Sequence, residues 1–302
     1  MVSCSEEPGG GGLAFTAFPP RPELSGLIQP ILVMGLDGCS SALPATLSPG
    51  ILVMARGGLS LPGVGPLPRA CLCGPTMEPR VSRACPGTVS ISLMFTPGCL
   101  DSALGPGVHE FRGQILPLEQ FFGEGPVARL LEQVDEQASP AAWVAALQGL
   151  VLERLRQDAL ARAYGQWRLS RGGLFLPLER MAKELGLGER QLERRVKRSF
   201  GLNIRDLRRT TRFGFALAAL CAGRARGRGG VARLAQDYGY YDLAHMDRDF
   251  QALAGLSPSG ILAAAAGNDP AYWLYRFRSG DFQALFLPDD VASIQSSLFP
   301  GT

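Results

Sequence analysis

Asp242-Leu-Ala-His245-Met-Asp-Arg248-Asp-Phe250, running on to Gly255-Leu-Ser257-Pro258, is the stretch whose reading decides the fold. Asp242 suits a helix N-cap, because its short carboxylate can accept from a backbone N–H that the first turn leaves unpaired. Leu243, Met246, Phe250 and Leu253 then share one face at helical spacing, and Ala244, Asp247, Arg248 and Gln251 share the other. Gly255 is placed to end this helix, and Ser257-Pro258 to begin a short last one. Upstream, Val231-Ala-Arg-Leu-Ala235 reads as a short helix that turns through Tyr238-Gly239-Tyr240-Tyr241. A short helix, a glycine-bearing turn and an amphipathic second helix make a helix-turn-helix unit.

The same pattern occurs once more to the N-terminal side. Leu178, Met181, Ala182 and Leu185 make a short helix closed by Gly186, and Gly188 opens a second helix with Gln191 in the capping-box place. Leu192, Val196 and Phe200 line one face of that helix, while Arg190, Glu193, Arg194, Lys197 and Arg198 fall elsewhere and Gly201 closes it. Between the two units, residues 204–222 carry Leu207, Thr211, Phe215 and Ala218 in helical register. A helix of that length spans about 28 Å at ~1.5 Å per residue. With packing width at each end it can hold two recognition helices about one DNA turn apart, ~34 Å. The loop Gly223-Arg-Ala-Arg-Gly-Arg-Gly-Gly230 that follows is flexible and basic.

Charge singles out the same region. Residues 171–233 hold 16 Lys/Arg against 5 Asp/Glu, a balance of +11 in a chain whose formal net charge is +3. Residues 1–170, 234–262 and 263–302 are each mildly acidic. One basic block in an otherwise acidic protein is the footprint of a phosphate-binding surface.

Before residue 117 the chain is short apolar runs cut by Gly and Pro, among them Ile31-Leu-Val-Met34, Ile51-Leu-Val-Met54 and Val89-Ser-Ile-Ser-Leu-Met-Phe95. The breakers recur too often for helices, so this part reads as β-rich, a sandwich or barrel. The two Ile-Leu-Val-Met runs read as two similar strands. Alternation from Val89 to Phe95 implies one buried face and one exposed. Val127, Leu130, Leu131 and Val134, and then Val144, Leu147, Val151 and Leu155 behind the cap Ser139-Pro140, are helical. The second helix either covers the β-domain or forms a dimer seam, and Trp143, Leu150 and Leu152 widen its apolar face in favour of covering. Ser170-Arg-Gly-Gly173 is the best linker. The division is therefore 13–169 (sensor or dimerisation domain), 174–262 (paired helix-turn-helix domain) and an aromatic-rich tail over 263–302. Residues 1–12, ending in four glycines, read as a mobile tail.

Residues 178–261 resemble the DNA-binding domain of the AraC/XylS transcription regulators. The resemblance is carried by Leu185-Gly186, Arg190-Gln-Leu192, Arg194 and Phe200-Gly201. Gly239-Tyr240, Asp242, His245, Arg248, Phe250, Gly255 and Ser257-Pro258 carry it most specifically. The stretch from Phe95-Thr-Pro97-Gly98 to Leu116-Pro-Leu118-Glu-Gln-Phe-Phe-Gly123 is similar, more weakly, to a poorly characterised sensor domain found in some members. By family position Arg190, Glu193, Arg194 and Arg248 are the candidates for base edges, with Arg toward guanine and Glu toward a cytosine amino group; the alternative for Glu193 is a salt bridge to a neighbouring Arg. Lys197, Arg198, Arg205 and Arg208, with Arg224 and Arg226 of the basic loop, are the phosphate candidates. Ala244 departs from the polar residue common at its position, and Asp247 and Asp249 make the second recognition helix acidic. The 189–199 helix should therefore carry most of the affinity.

Seven cysteines, an odd number in a chain of this size, fit free thiols in a reducing cytoplasm. Cys71, Cys73 and Cys85 are the candidates for a thiol or soft-metal sensor, with inert buried thiols or disulfides as the other readings. With His109 and His245 the only histidines, the ligands of a metalloenzyme are lacking. No catalytic residue set, metal site or cofactor loop stands out, and no apolar run approaches the ~18 residues of a membrane helix. The expected fold class is α+β: a β-rich domain with covering helices, then an all-α double helix-turn-helix domain. The expected protein is a sequence-specific transcription regulator whose N-terminal domain modulates it. Its expected partners are an operator duplex, RNA polymerase if it activates, a small-molecule effector and a second copy, with no membrane. The competing reading is a ligand-binding or enzymatic β-domain with a helical protein-interaction module.

Overall fold

The computed structural model describes residues 13–100, 107–155, 173–225, 227 and 229–276. Its strands are β1 (Leu13–Phe18), β2 (Ile31–Leu36), β3 (Ser40–Leu43), β4 (Gly50–Arg56), β5 (Leu59–Leu61), β6 (Gly65–Pro66), β7 (Ala70–Cys73), β8 (Arg80–Ala84), β9 (Thr88–Met94) and β10 (Ile115–Pro117). They form a six-stranded sheet in the order β1-β2-β9-β4-β7-β10 and a four-stranded sheet in the order β3-β8-β5-β6. Helices α1 (Glu119–Phe122), α2 (Glu124–Gln133) and α3 (Pro140–Arg154) follow. Then come α4 (Leu178–Glu184), α5 (Glu189–Phe200), α6 (Ile204–Cys221), α7 (Gly230–Asp237), α8 (Leu243–Ala254), α9 (Pro258–Ala266) and the 3-10 turn Pro270–Arg276. The fold class is the expected one, a β-rich N-terminal domain before an all-α region.

The two Ile-Leu-Val-Met runs are β2 and β4, which flank β9 in the large sheet. Their continuous apolar character has a specific cause, because both faces of the sheet are covered. Ile31, Val33, Ile51 and Val53 join Ile91, Leu93 and Phe95 in one core, closed by Val127 and Leu130 of α2 and Trp143, Val144, Leu147 and Val151 of α3. Trp143 Nε1 donates to Asp135 O at 2.8 Å, and Arg21 N donates to the buried Gln148 Oε1, so the indole N–H and the amide oxygen of this layer are paired. The apolar face of α3 thus covers its own sheet.

The opposite face corrects the expectation of a solvated side. Leu32, Met34, Leu36 and Met54 belong to a second core built with Phe213, Phe215, Leu217 and Leu220 of α6, Met246, Phe250 and Leu253 of α8, and Trp273 and Tyr275. Thr88 and Ser90, on the supposedly exposed side of β9, are buried with them. Alternation in a strand reports which side chains point together; it does not report whether a later segment will cover them. Backbone bonds cross the same boundary, Ala45 N donating to Leu253 O at 2.6 Å. A third core holds Met181, Leu192, Val196, Phe200, Ile204 and Leu207, the interior of the first helix-turn-helix unit.

The bend from β4 into β5 needs glycine at 57. Its φ is +65°, and a Cβ there would stand 2.4 Å from Thr88 Oγ1. That hydroxyl donates to Cys85 O at 2.7 Å and accepts from Gly58 N at 3.1 Å.

Trp273, Leu274 and Tyr275 are buried, and Trp273 Nε1 donates to Ser41 Oγ of β3 at 2.9 Å. The first part of the expected aromatic tail is therefore an integral part of the second core. The remainder of that tail, the 1–12 tail, and residues 170–172 of the expected linker lie outside the described residues.

Candidate nucleic-acid interface

In the first unit α4 turns through Gly186, at φ +64°, into α5. Gly188 caps α5 with extended backbone and no side-chain bond, and Gly201 closes it in the left-handed region at φ 70°. With Leu192, Val196 and Phe200 buried, Arg190, Glu193, Arg194 and Lys197 all stand exposed on the far side, at i, i+3, i+4 and i+7. The structure therefore brings four of the candidates into one stripe, and Arg198 is exposed on the same helix.

α6 runs for 18 residues, about 27 Å, from the cap Asn203, whose Oδ1 accepts from Asp206 N at 2.8 Å. It is buried on more sides than the sequence suggests, because Phe213, Ala216, Leu217, Ala219 and Leu220 fill the core shared with the sheet. Arg205 is exposed beside its start. Arg208 sits differently: its Nε donates to Leu174 O at 2.7 Å and its Nη2 to Leu176 O, so the guanidinium ties α6 to the turn before α4. Arg224 is exposed on the loop after α6, and Arg226 lies outside the described residues.

In the second unit Asp242 Oδ1 accepts from His245 N at 2.7 Å, the expected cap, and Gly255 closes α8 at φ 74°. Phe250 meets Phe213 of α6 edge to face, with centroids 4.9 Å apart. His245 packs edge-on against Tyr240 and its Nδ1 faces Tyr241 N, which gives it the structural place expected near the helix start. Ala244, Arg248 and Gln251 are exposed on the outer side of the helix, and Asp247 beside them is half-buried.

Two details of α8 differ from the expectation. Leu243 is 39% exposed, because at the first turn it overhangs the end of the core. Asp249 does not add to an acidic reading face. Its side chain is 6% exposed, and its Oδ1 is 2.6 Å from Arg209 Nε on α6, with His245 Nε2 3.9 Å from its Oδ2. Among the side chains that sequence reasoning missed, this brace matters most, since it joins the linking helix to the second recognition helix. No spacing rule connects residues 209 and 249. Tyr241, 92% exposed at the mouth of α8, was likewise read only as turn.

The cysteines separate. Cys71 and Cys73 are neighbours on β7, and a hydrogen bond between their thiols pushes Cys71 up and pulls Cys73 down, Arg80 adding to the second effect. Cys85 is exposed beyond the end of β8, in the other sheet. Among the described residues no group of three or more His, Cys, Asp or Glu is placed to hold a metal ion. None of the described helices is long and apolar enough to cross a membrane.

Two exposed amphipathic helices, each second in a helix-turn-helix and joined through one long helix, define a DNA-binding transcription regulator. Residues 181–264 match the family model of a helix-turn-helix domain. Within that class, the residue pattern of the two units resembles the paired helix-turn-helix of the AraC/XylS regulators. No curated protein sequence matches the chain. Among solved structures the chain is similar to ToxT from Vibrio cholerae O395, at 13% identity and a TM-score of 0.42, over 82% of this chain and 97% of that one. It is also similar to an apo form of a ToxT variant from Vibrio cholerae strain SCE256, at 11% identity and a TM-score of 0.39, over 85% and 99%. The AraC-like transcriptional activator CuxR follows at 13% identity and a TM-score of 0.21, over 66% and 94%. The assignment rests on the domain match and on the geometry of the two units.

Proposed function

We propose that the protein is a one-component, sequence-specific regulator that lays α5 and α8 in successive major grooves on one face of an operator duplex. The observation that carries this reading is the pair of exposed recognition helices anchored on a single 18-residue helix. In this reading Arg190, Glu193, Arg194 and Arg248 read base edges, and Lys197, Arg198, Arg205, Arg224 and Arg226 lie against phosphates. Arg208 contributes through the turn that it ties down. The working units are 13–169, 174–262 and the segment after 262. Its setting is the cytoplasm. Its further partners are RNA polymerase where it activates, a small-molecule effector, and a second copy of the chain. The shared core of sheet, α6 and α8 supports modulation by the N-terminal domain, because any repacking of that sheet face must move the helices that carry the reading surfaces.

A titration of duplex DNA against salt tests the reading. Several phosphate contacts predict a steep linear fall of log K with log salt, at a slope of about −0.9 per contact. An affinity indifferent to salt would leave the helical half as a protein-interaction module instead. Arg194→Ala is expected to relax base preference, costing about 1–3 kcal/mol on the preferred sequence and little on others. Selection from a random duplex pool measures this, and equal loss on every sequence would make Arg194 a phosphate contact.

A further inference from the structure

The N-terminal domain reaches the recognition helix of the first unit directly. The 3-10 turn Val108–Glu110 packs on α5, the Phe200 ring lies close enough to Gly98 that a Cβ there would be 2.7 Å from it, and Arg112 Nη1 is 3.5 Å from Gly201 O. Between the two domains lies an open cleft of about 520 Å³, lined by His109, Arg112, Lys197, Gly201, Leu202 and Asn203. Three of these side chains are basic or imidazole, and none is a carboxylate. Two acids border the lining residues and each already accepts a hydrogen bond: Glu110 Oε1 from Gly107 N at 3.2 Å, and Asp206 Oδ2 from Asn203 Nδ2 at 2.9 Å. The cleft also opens beside the N-terminus of α6, the positive end of the longest described helix.

We propose that this cleft binds a phosphate group, so that His109 and Arg112 of the N-terminal domain share one anion with Lys197 of the recognition helix. The inference rests on the reading that α5 enters a major groove. Lys197 ends the stripe that begins at Arg190, about 10 Å further along the helix at ~1.5 Å per residue. A B-DNA major groove is about 12 Å wide. With Arg190 and Arg194 among base edges, the Lys197 end of the stripe meets the strand that borders the groove, and the 108–112 turn stands beside it. The phosphate is therefore one of the bound duplex, and the sensor domain completes the DNA interface. A free phosphate ester offers the same chemistry, and the experiment separates the two sources.

The full-length chain is titrated with a mixed-sequence duplex over a range of salt, as wild type and as Arg112→Ala, Arg112→Lys, Lys197→Ala and the double variant Arg112→Ala/Lys197→Ala. Thermal unfolding in inorganic phosphate, against chloride at equal ionic strength, runs in parallel. The expected result is a several-fold loss of duplex affinity at low salt for each alanine variant. The salt slope should be shallower by about one in the double variant. The loss should be less than additive, because both cations hold one anion, and Arg112→Lys should restore most of it. If duplex binding is untouched but phosphate stabilises the wild type and not Arg112→Ala, the site stands and its ligand is a free ester. If Arg112→Ala changes neither, the proposal is overturned. A wild type with no salt slope at all would overturn the groove reading beneath it, which is a different failure.

Discussion

Trp273→Ala should destabilise the protein by about 3–5 kcal/mol, the range for deleting a buried aromatic side chain. The residue stands outside both helix-turn-helix units, so their own packing does not predict the effect. It is 8% exposed in the core that joins the large sheet to α6 and α8, and its indole N–H holds Ser41 of β3, itself buried. Truncation opens a cavity between the two domains and leaves the Ser41 hydroxyl without its donor. Trp273→Phe keeps most of the volume and should cost the smaller penalty of the orphaned hydroxyl, about 1–3 kcal/mol. Guanidinium unfolding followed by circular dichroism in the helix and sheet regions is the measurement. Because one core spans both domains, the two signals should shift together. A helical signal that moves while the sheet signal stays would mean that the two domains unfold independently.

Asp249→Ala should cost about 2–3 kcal/mol. Removing one member of a fully buried pair costs about 3–5 kcal/mol, but the Arg209 side chain is 37% exposed and can recover water, which brings the figure down. A double-mutant cycle separates the brace from general packing. Arg209→Ala/Asp249→Ala should cost less than the sum of the single changes, since the second removal abolishes a charge that the first left unpaired. The brace sets α8 against α6, so the single variants should also protect a shorter stretch of operator on the side of the second unit in footprinting. Unaltered footprints would confine the pair to stability.

The helix-turn-helix units were legible because their signals are local. A cap, a face repeating at 3.6 residues and a closing glycine lie within a dozen residues of one another, and Asp242, Gly201 and Gly255 do in the structure what their residue types imply. The strands at Ile31 and Ile51 were legible for the same reason. Their apolar residues fill both faces because both are covered, which the alternation in β9 did not signal, since small Thr88 and Ser90 are buried without being apolar. Asp249 was misjudged because a charged residue at an outward helical position looks solvated until its partner is known, and the anchor of Arg208 was invisible for the same reason. Their partners lie 40 and 34 residues away.

The sequence alone thus determined the class of each half, the limits of the recognition helices, and which of their faces is polar, since these follow from propensity and periodicity over a few turns. Tertiary structure alone decided that the sheet and the DNA-binding helices share one core. It also decided that Arg209 braces α8 and that Arg112 and Lys197 face one cleft. Those relations join residues from 40 to 232 positions apart. They depend on how complementary surfaces dock, which no local pattern encodes.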